Sequence, residues 1–212
     1  MRVLDLFCGA GGAAVGLHRA FPEAEITGVD IKPQKNYPFN FVQADALEFP
    51  LEEYDFIWAS PPCQAYSYAS ARWRNDGKEY PDLLAIIAIR LRGIGIPYCI
   101  ENVTGAHRMM VNPFVLCGLS FDLKVIRHRW FETNFYVLAP THSECGSAIQ
   151  DCRALTISGH GGESSSYKFE DWKEAMGIDW MTKQELTQAV PPAYSEFIGR
   201  QLRNILERAA LK

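Results

Sequence analysis

The chain has 212 residues, of which 48% are hydrophobic and 22% charged, a balance that suits one soluble globular domain spanning 1–212. Its formal net charge of −4 argues against a protein that binds duplex DNA through charge alone. A run of about 18 apolar residues is lacking, so we expect no membrane span. Because the amino terminus leads straight into a predicted strand, without a signal-peptide pattern, we expect a cytoplasmic protein.

A glycine-rich turn follows the first predicted strand, 2–7, and precedes a predicted helix, 13–20. This order is typical of the first unit of a nucleotide-binding α/β fold, because glycine allows a ligand to approach the backbone N–H groups at the helix start. A second predicted strand, 26–30, ends in Asp30 about 20 residues after Gly9, where a carboxylate can bind ribose hydroxyls. The alternative is that Asp30 only caps a turn.

The third predicted strand, 39–44, ends at Asp45-Ala46. A carboxylate at this position can bind the exocyclic amine of an adenine, or it can equally cap a helix or a turn. Because no Gly-Lys-Ser/Thr follows the first glycine turn, the sequence favours a nucleoside-type cofactor over a triphosphate.

The fourth predicted strand, 54–58, leads into Ser60-Pro61-Pro62-Cys63-Gln64. The two prolines end the strand and stiffen the loop. A thiol on a rigid loop at the carboxyl end of a strand is well placed to act as a nucleophile, although a buried structural cysteine is the alternative. Residues 65–79, rich in aromatic residues and arginine, are predicted to form a long loop that either faces substrate or is simply solvated.

A predicted helix over 82–92 is apolar enough to be buried against a sheet. The fifth predicted strand, 98–100, then ends in Glu101. A carboxyl group there is costly unless it is paired or functional. If the fourth and fifth strands are neighbours, Cys63 and Glu101 face one crevice and form a nucleophile and a carboxyl group with a raised pKa. An ordinary acid at a strand end is the alternative.

Further along the chain we predict a short helix over 113–117 and a hairpin formed by 123–125 and 130–135. Arg127 and Arg129 lie between or within the hairpin strands. Two arginines two positions apart on a strand project to one face and can bind a carboxylate, a phosphate or a base edge; a solvated basic turn is the alternative.

Residues 138–170 are interrupted by glycine, proline and serine, and predict a loop or small subdomain that selects substrate. This insert contains four residues of metal-ligand type: His142, Cys145, Cys152 and His160. Their spacings do not match the paired zinc signature, so we expect structural thiols, solvated histidines and no metal. A capping box over 182–185 starts a short helix, and a final helix is predicted over 193–209.

Five motifs, in this order, resemble those of the cytosine-C5 DNA methyltransferases. They are Asp5-Leu6-Phe7-Cys8-Gly9-Ala10-Gly11-Gly12, Ser60-Pro61-Pro62-Cys63-Gln64, Glu101-Asn102-Val103, Arg127-His128-Arg129 and Pro191-Pro192-Ala193-Tyr194. The resemblance covers nearly the whole chain apart from 138–170, and the order of five motifs is far more specific than any one of them.

The resemblance implies a Rossmann-like α/β fold, with a mostly parallel sheet and an antiparallel hairpin at one edge. It also implies methyl transfer from S-adenosylmethionine to C5 of a cytosine flipped out of DNA. Cys63, on the loop with Gln64, would add to C6 of the base; Glu101 would supply a proton to its N3/N4 edge. Arg129 and Arg127 would position the base. The cofactor contacts implied are Phe7, Cys8, Gly9, Ala10, Gly11, Gly12, Asp30, Ile31, Asp45, Ala46, Pro61 and Tyr194.

Two departures from the family pattern limit what the resemblance implies. The stretch between Trp130 and Pro191 is too short for the usual target-recognition region, so sequence recognition is short, relaxed or supplied by a protein partner. Gly199 is followed by Arg200 where the family has asparagine, so one cofactor contact does not carry over. Two alternatives stay open: the same chemistry on tRNA, single-stranded DNA or a nucleotide, and a catalytically silent accessory subunit. A compact enzyme of a restriction-modification system would fit the short insert.

Overall fold

The computed structural model describes residues 1–141, 145, 154–157 and 167–211. The strands are β1 (Arg2–Leu6), β2 (Glu25–Asp30), β3 (Asn40–Gln43), β4 (Phe56–Ala59), β5 (Tyr98–Asn102), β6 (Phe114–Leu116) and β7 (Arg129–Thr133). The α-helices are α1 (Gly12–Ala20), α2 (Ala71–Asn75), α3 (Leu83–Arg92), α4 (Phe169–Met176), α5 (Lys183–Gln188) and α6 (Pro192–Ala210). Three short 3-10 helices span Tyr68–Ser70, Thr104–Met109 and Gly118–Phe121.

The seven strands form one sheet in the order β3-β2-β1-β4-β5-β7-β6. The first five strands in this order are parallel, whereas β7 and β6 run antiparallel at one edge. This arrangement confirms the predicted fold class. The chain leaves β1 towards β2 and β3 on one side and later returns to β4 on the other side. Open α/β sheets bind ligands at such a switch point, outside the carboxyl ends of the strands.

The two faces of the sheet are buried by different helices. Phe56 and Trp58 in β4 pack on the face covered by α1 and α6, and Ile57 packs on the opposite face, covered by α3. Successive residues of a strand point to opposite faces, so a strand between two helical layers is apolar throughout. The predicted burial of helix α3 against the sheet is confirmed for one of its sides, which carries Leu84 and Ile87, whereas Ile89 on the other side is 72% exposed.

A third apolar cluster joins α4 and α5 to the described part of the insert. It includes Leu155, Ile157 and Trp172, all buried. The predicted capping box at the start of α5 is confirmed, because the Thr182 N–H donates to the Glu185 carboxylate over 2.7 Å. This cluster holds α5 beside the carboxyl ends of the central strands, where Trp180 Nε1 and the Ala10 carbonyl are 2.8 Å apart.

The predicted short helix over 113–117 is wrong, because this segment is strand β6. Its sequence, Phe-Val-Leu, favours an extended backbone and pairs antiparallel with β7. The ring of Phe114 stacks on Phe131 of β7 at 5.6 Å between centroids. The hairpin therefore joins β6 and β7, and the predicted partner 123–125 is also wrong. Val125 instead forms a parallel bridge with Leu155.

The segment 65–79, predicted as a long loop, contains a 3-10 turn and the short helix α2. The Ser67 hydroxyl caps this turn by accepting from the Ala69 N–H over 3.1 Å. Within the described part of the chain, none of the helices combines the length and apolarity needed to cross a bilayer. His142, Cys152 and His160 lie outside the described residues, so what we predict for them stays a prediction.

Candidate active site

The glycine turn after β1 bends sharply at the switch point of the sheet. Three of its residues have positive φ angles: Phe7 (56°), Gly9 (48°) and Gly11 (83°). A side chain added at Gly9 would meet nothing within 4 Å, whereas one at Gly11 would lie 2.7 Å from the Pro38 ring. Gly9 therefore faces open space that a ligand can enter, and Gly11 is needed for close packing. The positive φ of Phe7 is uncommon for a residue other than glycine and marks a strained strand end.

Asp30, at the end of β2, joins that strand to the glycine turn. Its Oδ2 accepts from the Gly9 N–H over 3.1 Å, and its Oδ1 accepts from the Lys32 N–H over 2.9 Å. Asp30 therefore caps the turn, which was the alternative reading. Each carboxylate oxygen keeps a further lone pair, so binding of ribose hydroxyls remains chemically open to this half-buried group. The next residue, Ile31, is exposed beside it.

Asp45 follows β3 and is exposed. Its Oδ1 accepts from the Leu47 N–H over 2.9 Å, so the side chain caps a turn. Ala46 is buried, and its carbonyl accepts from Arg90 Nη1 over 3.3 Å. A contact with an adenine at these two residues stays a prediction.

The loop that carries Cys63 is held by hydrogen bonds on both sides of the thiol. Asn102 Nδ2 donates to the Pro61 carbonyl over 2.9 Å, and the Cys63 carbonyl accepts from the Ser67 N–H over 2.7 Å. Asn102 is only 2% exposed, and its Oδ1 accepts from the Val103 N–H over 2.9 Å. From sequence, Asn102 belonged only to the Glu101-Asn102-Val103 motif and had no role of its own. The signal available was a buried asparagine directly after the acid that ends a central strand.

Glu101 lies at the end of β5, next to β4, and is 5% exposed. Its Oε1 is 2.8 Å from Nε of Arg129, the first residue of β7. The Ser60 hydroxyl also bonds to this carboxyl group, and Trp58 Nε1 donates to the Ser60 oxygen over 2.9 Å. Burial raises the pKa of Glu101, and Arg129 only partly opposes the increase. Ser60 and Trp58 were missed because neither is itself of a catalytic type.

The Cys63 thiol is half-buried and interacts electrostatically with the same ion pair. Burial raises the pKa of the thiol; the Arg129 charge lowers it, and the Glu101 charge raises it further. The charges of Arg129 and Glu101 therefore act in opposite directions on the protonation of the thiol. The side chain of Gln64 is exposed, and its backbone carbonyl accepts from Arg74 Nη1 over 2.7 Å.

The sequence predicts that Arg127 and Arg129 project from one face of a strand. In the structure, Arg127 is instead buried and hydrogen-bonded to backbone carbonyls. Its guanidinium donates to the carbonyls of Ala189 (2.9 Å), Ile157 (3.1 Å) and Thr187 (2.8 Å). The prediction fails because β7 begins only at Arg129. Burial, followed by the neighbouring Arg129 charge, lowers the pKa of Arg127 to about 9. In this position Arg127 joins the insert and the end of α5 to the start of β7.

Tyr194, in the first turn of α6, is 0% exposed. Its hydroxyl donates to the Arg127 carbonyl over 2.6 Å, and its ring packs against Phe121 and Phe131. The side chain has no surface open to a ligand, which corrects the cofactor contact that the resemblance implied. Arg200, where the family has asparagine, bonds Glu196 over 2.7 Å on the surface of α6.

The remaining residues of the glycine turn are engaged through their backbone. The Cys8 N–H donates to the Val29 carbonyl over 3.1 Å, and the Ala10 carbonyl accepts from Trp180. Gly12 starts α1, and a side chain there would collide with the Val190 carbonyl. Pro61, within the loop that carries Cys63, is buried. Cofactor contacts at these positions stay predictions.

The site combines a glycine turn, at the switch point of a mostly parallel sheet, with an acid after the second strand. A thiol lies beside a carboxyl–arginine pair. These features together are typical of an α/β enzyme that uses a nucleoside-type cofactor. The sequence profile of the C-5 cytosine-specific DNA methylases matches residues 1–106. The chain belongs to this family. Its cofactor is accordingly S-adenosylmethionine. The residues fit this molecule, since Gly9 opens to free space beside the Asp30 carboxylate.

Two solved structures have the same fold over nearly their whole length. The S. pombe Dnmt2 methyltransferase superimposes with a TM-score of 0.61 over 97% of this chain and 99% of its own, at 14% identity. The Entamoeba histolytica methyltransferase EhMeth gives 0.62 over 97% and 98%, also at 14% identity. At this identity the likeness concerns the fold alone.

Among curated proteins, the chain is similar to the 23S rRNA (uracil(747)-C(5))-methyltransferase RlmC of Escherichia coli. The two are 34% identical over 123 residues, 58% of this chain and 28% of that protein. A Salmonella RlmC is 32% identical over 124 residues. The chain thus spans little more than a quarter of the length of these relatives.

Proposed function

We propose that this chain transfers a methyl group from S-adenosylmethionine to C5 of cytosine in DNA, through a covalent bond between Cys63 and C6 of the base. The observation that carries the proposal is the ion pair of Glu101 and Arg129 beside the Cys63 thiol, at the crevice of the family's fold. A thiolate can add to C6 only if the ring nitrogen is protonated or hydrogen-bonded, so a nucleophile and a proton donor must act together.

The electrostatics supply a reason why these two groups act together. Burial raises the pKa of Glu101, which favours the protonated form that donates to the N3/N4 edge of cytosine. A neutral Glu101 no longer raises the pKa of Cys63, while the Arg129 charge continues to lower it. Protonation of the carboxyl group therefore assists ionisation of the thiol. Before substrate binds, burial keeps Cys63 mainly as the unreactive thiol.

After the addition, the reaction needs methylation of C5 and then release of the base from Cys63. Addition of the Cys63 sulfur to C6 makes C5 electron-rich, so that C5 would take the methyl group of bound S-adenosylmethionine and leave S-adenosylhomocysteine. Loss of the C5 proton to solvent or to a bound base allows the C6–sulfur bond to break, which returns the thiolate. Arg129, held by Glu101, stabilises negative charge that develops on the ring. The base reaches the thiol only when it is flipped out of the helix.

DNA is the proposed substrate because the family is defined on DNA cytosine. The short insert and the net charge of −4 favour a small contact with the nucleic acid, with a protein partner supplying sequence recognition. A second candidate is the same chemistry on a pyrimidine in RNA. It is favoured by the similarity to RlmC, which is named as a methyltransferase of uracil C5 in 23S rRNA.

The test is transfer of labelled methyl from S-adenosylmethionine to duplex DNA, single-stranded DNA and RNA, each with wild type, Cys63→Ala and Cys99→Ala. Cys99 is buried in β5 and serves as the matched cysteine control. We expect label on cytosine of DNA with wild type and Cys99→Ala, and none with Cys63→Ala. Label on RNA alone would move the substrate to the second candidate.

A covalent trap distinguishes an enzyme from a silent accessory subunit. DNA that carries 5-fluorocytosine cannot lose a proton from C5, so the bond between the protein and the base persists. We expect a denaturation-resistant complex that requires Cys63 and the cofactor. If neither labelled product nor trapped complex forms on any nucleic acid, while S-adenosylmethionine still binds, the proposed catalysis is refuted.

A further inference from the structure

Three side chains of metal-ligand type meet where the edge hairpin joins the insert. Cys117 directly follows β6, and His128 directly precedes β7. Leu116 pairs with Arg129 in the antiparallel register, which brings Cys117 and His128 opposite each other. Cys145, from the insert, completes the group. The three residues are far apart in sequence, and pairing of the strands brings them together.

Two of the distances between the ligand atoms are close to those of a tetrahedral zinc site, and the third is at most 4.8 Å. The Cys117 and Cys145 sulfurs are 3.5 Å apart, and the Cys145 sulfur is 3.4 Å from Nε2 of His128. All three atoms lie within 4.8 Å of one another. Around a tetrahedral zinc ion, two thiolate sulfurs are about 3.8 Å apart, and a sulfur and an imidazole nitrogen about 3.6 Å apart. Cys117 and Cys145 are not joined by a disulfide, so such a bond does not explain their approach.

The surroundings of the group suit a bound metal ion. Cys117 is buried, whereas His128 and Cys145 are half-buried, so the group lies at an accessible edge of the core. The Leu119 N–H donates to the Cys117 sulfur, which is a typical outer contact of a metal-bound thiolate. Two thiolates balance the charge of a divalent ion, so the site adds no net positive charge near Arg127 and Arg129.

We propose that Cys117, His128 and Cys145 bind a zinc ion, with water or another donor in the fourth position. Both thiols lose their protons to solvent when the metal binds. The sequence led us to expect no metal, because the ligands of this site are distant from one another in sequence and form no local signature. The proposal does not depend on the proposed methyl transfer.

The site would fix the start of β7 and join it to the insert. The His128 carbonyl accepts from Arg129 Nη1 over 3.0 Å, and Arg129 in turn pairs with Glu101. A metal held by His128 therefore orients the arginine that faces the carboxyl group. This is a structural role at the border of the candidate active site, since no metal ligand belongs to the thiol–carboxyl–arginine group.

The test measures metal by elemental mass spectrometry in the full chain, purified from zinc-supplemented culture and passed over a chelating resin. Wild type, Cys117→Ser, Cys145→Ser and His128→Ala are compared with Cys99→Ala, a buried cysteine outside the group, and His18→Ala, an exposed histidine in α1. We expect about one zinc ion per chain in wild type and both controls, and at least a tenfold loss in the three ligand variants. Retention of zinc by the ligand variants would overturn the assignment.

A second measurement uses only wild-type protein, so it does not depend on how the variants fold. Metal-free protein is titrated with Co²⁺, and we expect tetrahedral d–d bands together with thiolate-to-cobalt charge-transfer absorption. Addition of zinc should abolish both signals, because zinc displaces cobalt. Absence of the charge-transfer band, or a Cys117–Cys145 disulfide in the non-reduced peptide map, would refute the site. Neither readout uses methyl transfer, so failure of the proposed function leaves this test intact.

Discussion

Replacement of Asn102 by alanine tests how the Cys63 loop is held. Asn102 is 2% exposed and satisfies the buried Pro61 carbonyl and the partly buried Val103 N–H, each over 2.9 Å. Alanine leaves both groups without a partner, and each unsatisfied group costs about 1–3 kcal/mol. We expect Asn102→Ala to lower the free energy of unfolding by about 2–4 kcal/mol. With a urea dependence of about 2 kcal/mol/M, the midpoint falls by about 1–2 M.

The assay is urea unfolding followed by circular dichroism, with Asn204→Ala as the matched control. Asn204 is exposed on α6, and its replacement should leave stability within about 0.5 kcal/mol of wild type. Reaction of Cys63 with a thiol reagent, quantified by peptide mapping in native conditions, should accelerate in Asn102→Ala because the loop is no longer anchored to β5. A loss below about 0.5 kcal/mol with unchanged Cys63 reactivity would show that the two hydrogen bonds do not hold the loop.

Three further replacements test the groups around the site. Glu101→Gln keeps the shape of the side chain but removes its proton-donating acid, and should lower methyl transfer about 10²–10⁴-fold, measured as single-turnover rate. Tyr194→Phe removes only the hydroxyl that donates to Arg127, and should lower the free energy of unfolding by about 1–2 kcal/mol in urea. The wild type should lose stability as pH rises, and Asp5→Asn should abolish this loss. Burial raises the pKa of Asp5 well above its usual value, so the folded protein keeps a proton that the unfolded chain releases, and stability declines as pH rises above about 4.

Each of these three predictions would be contradicted by a different result. Full activity of Glu101→Gln would remove the carboxyl group from the proposed chemistry. Unchanged stability of Tyr194→Phe would mean that the Arg127 carbonyl is satisfied by water. For Asp5→Asn, unfolding is measured at several pH values between about 5 and 9, and the wild type should lose more stability than the variant over that interval, by up to about 1.4 kcal/mol per pH unit. Parallel pH profiles would contradict a buried, protonated Asp5.

Local sequence rules predicted much of the fold. The order of apolar runs, the turn at Gly9 and the break at Pro61-Pro62 each depend on the conformational preferences of a few adjacent residues. The mostly parallel sheet and its antiparallel edge were predicted from the resemblance to the family, and the structure confirms them. Segment 113–117 was assigned wrongly because three residues carry too little periodicity to separate a strand from a turn of helix. Pairing with β7 decided its conformation.

The sequence by itself determined the family, the methyl donor and the presence of a thiol and a carboxyl group at the ends of two central strands. Only the tertiary structure decided which partners these groups have. Arg127 binds carbonyls up to 62 positions away, and Cys145 reaches Cys117 and His128 from a separate segment. Such contacts depend on how distant strands pair and helices pack. These hydrogen bonds, and the approach of the proposed metal ligands, therefore exist only in the folded chain. Short-range residue patterns do not encode them.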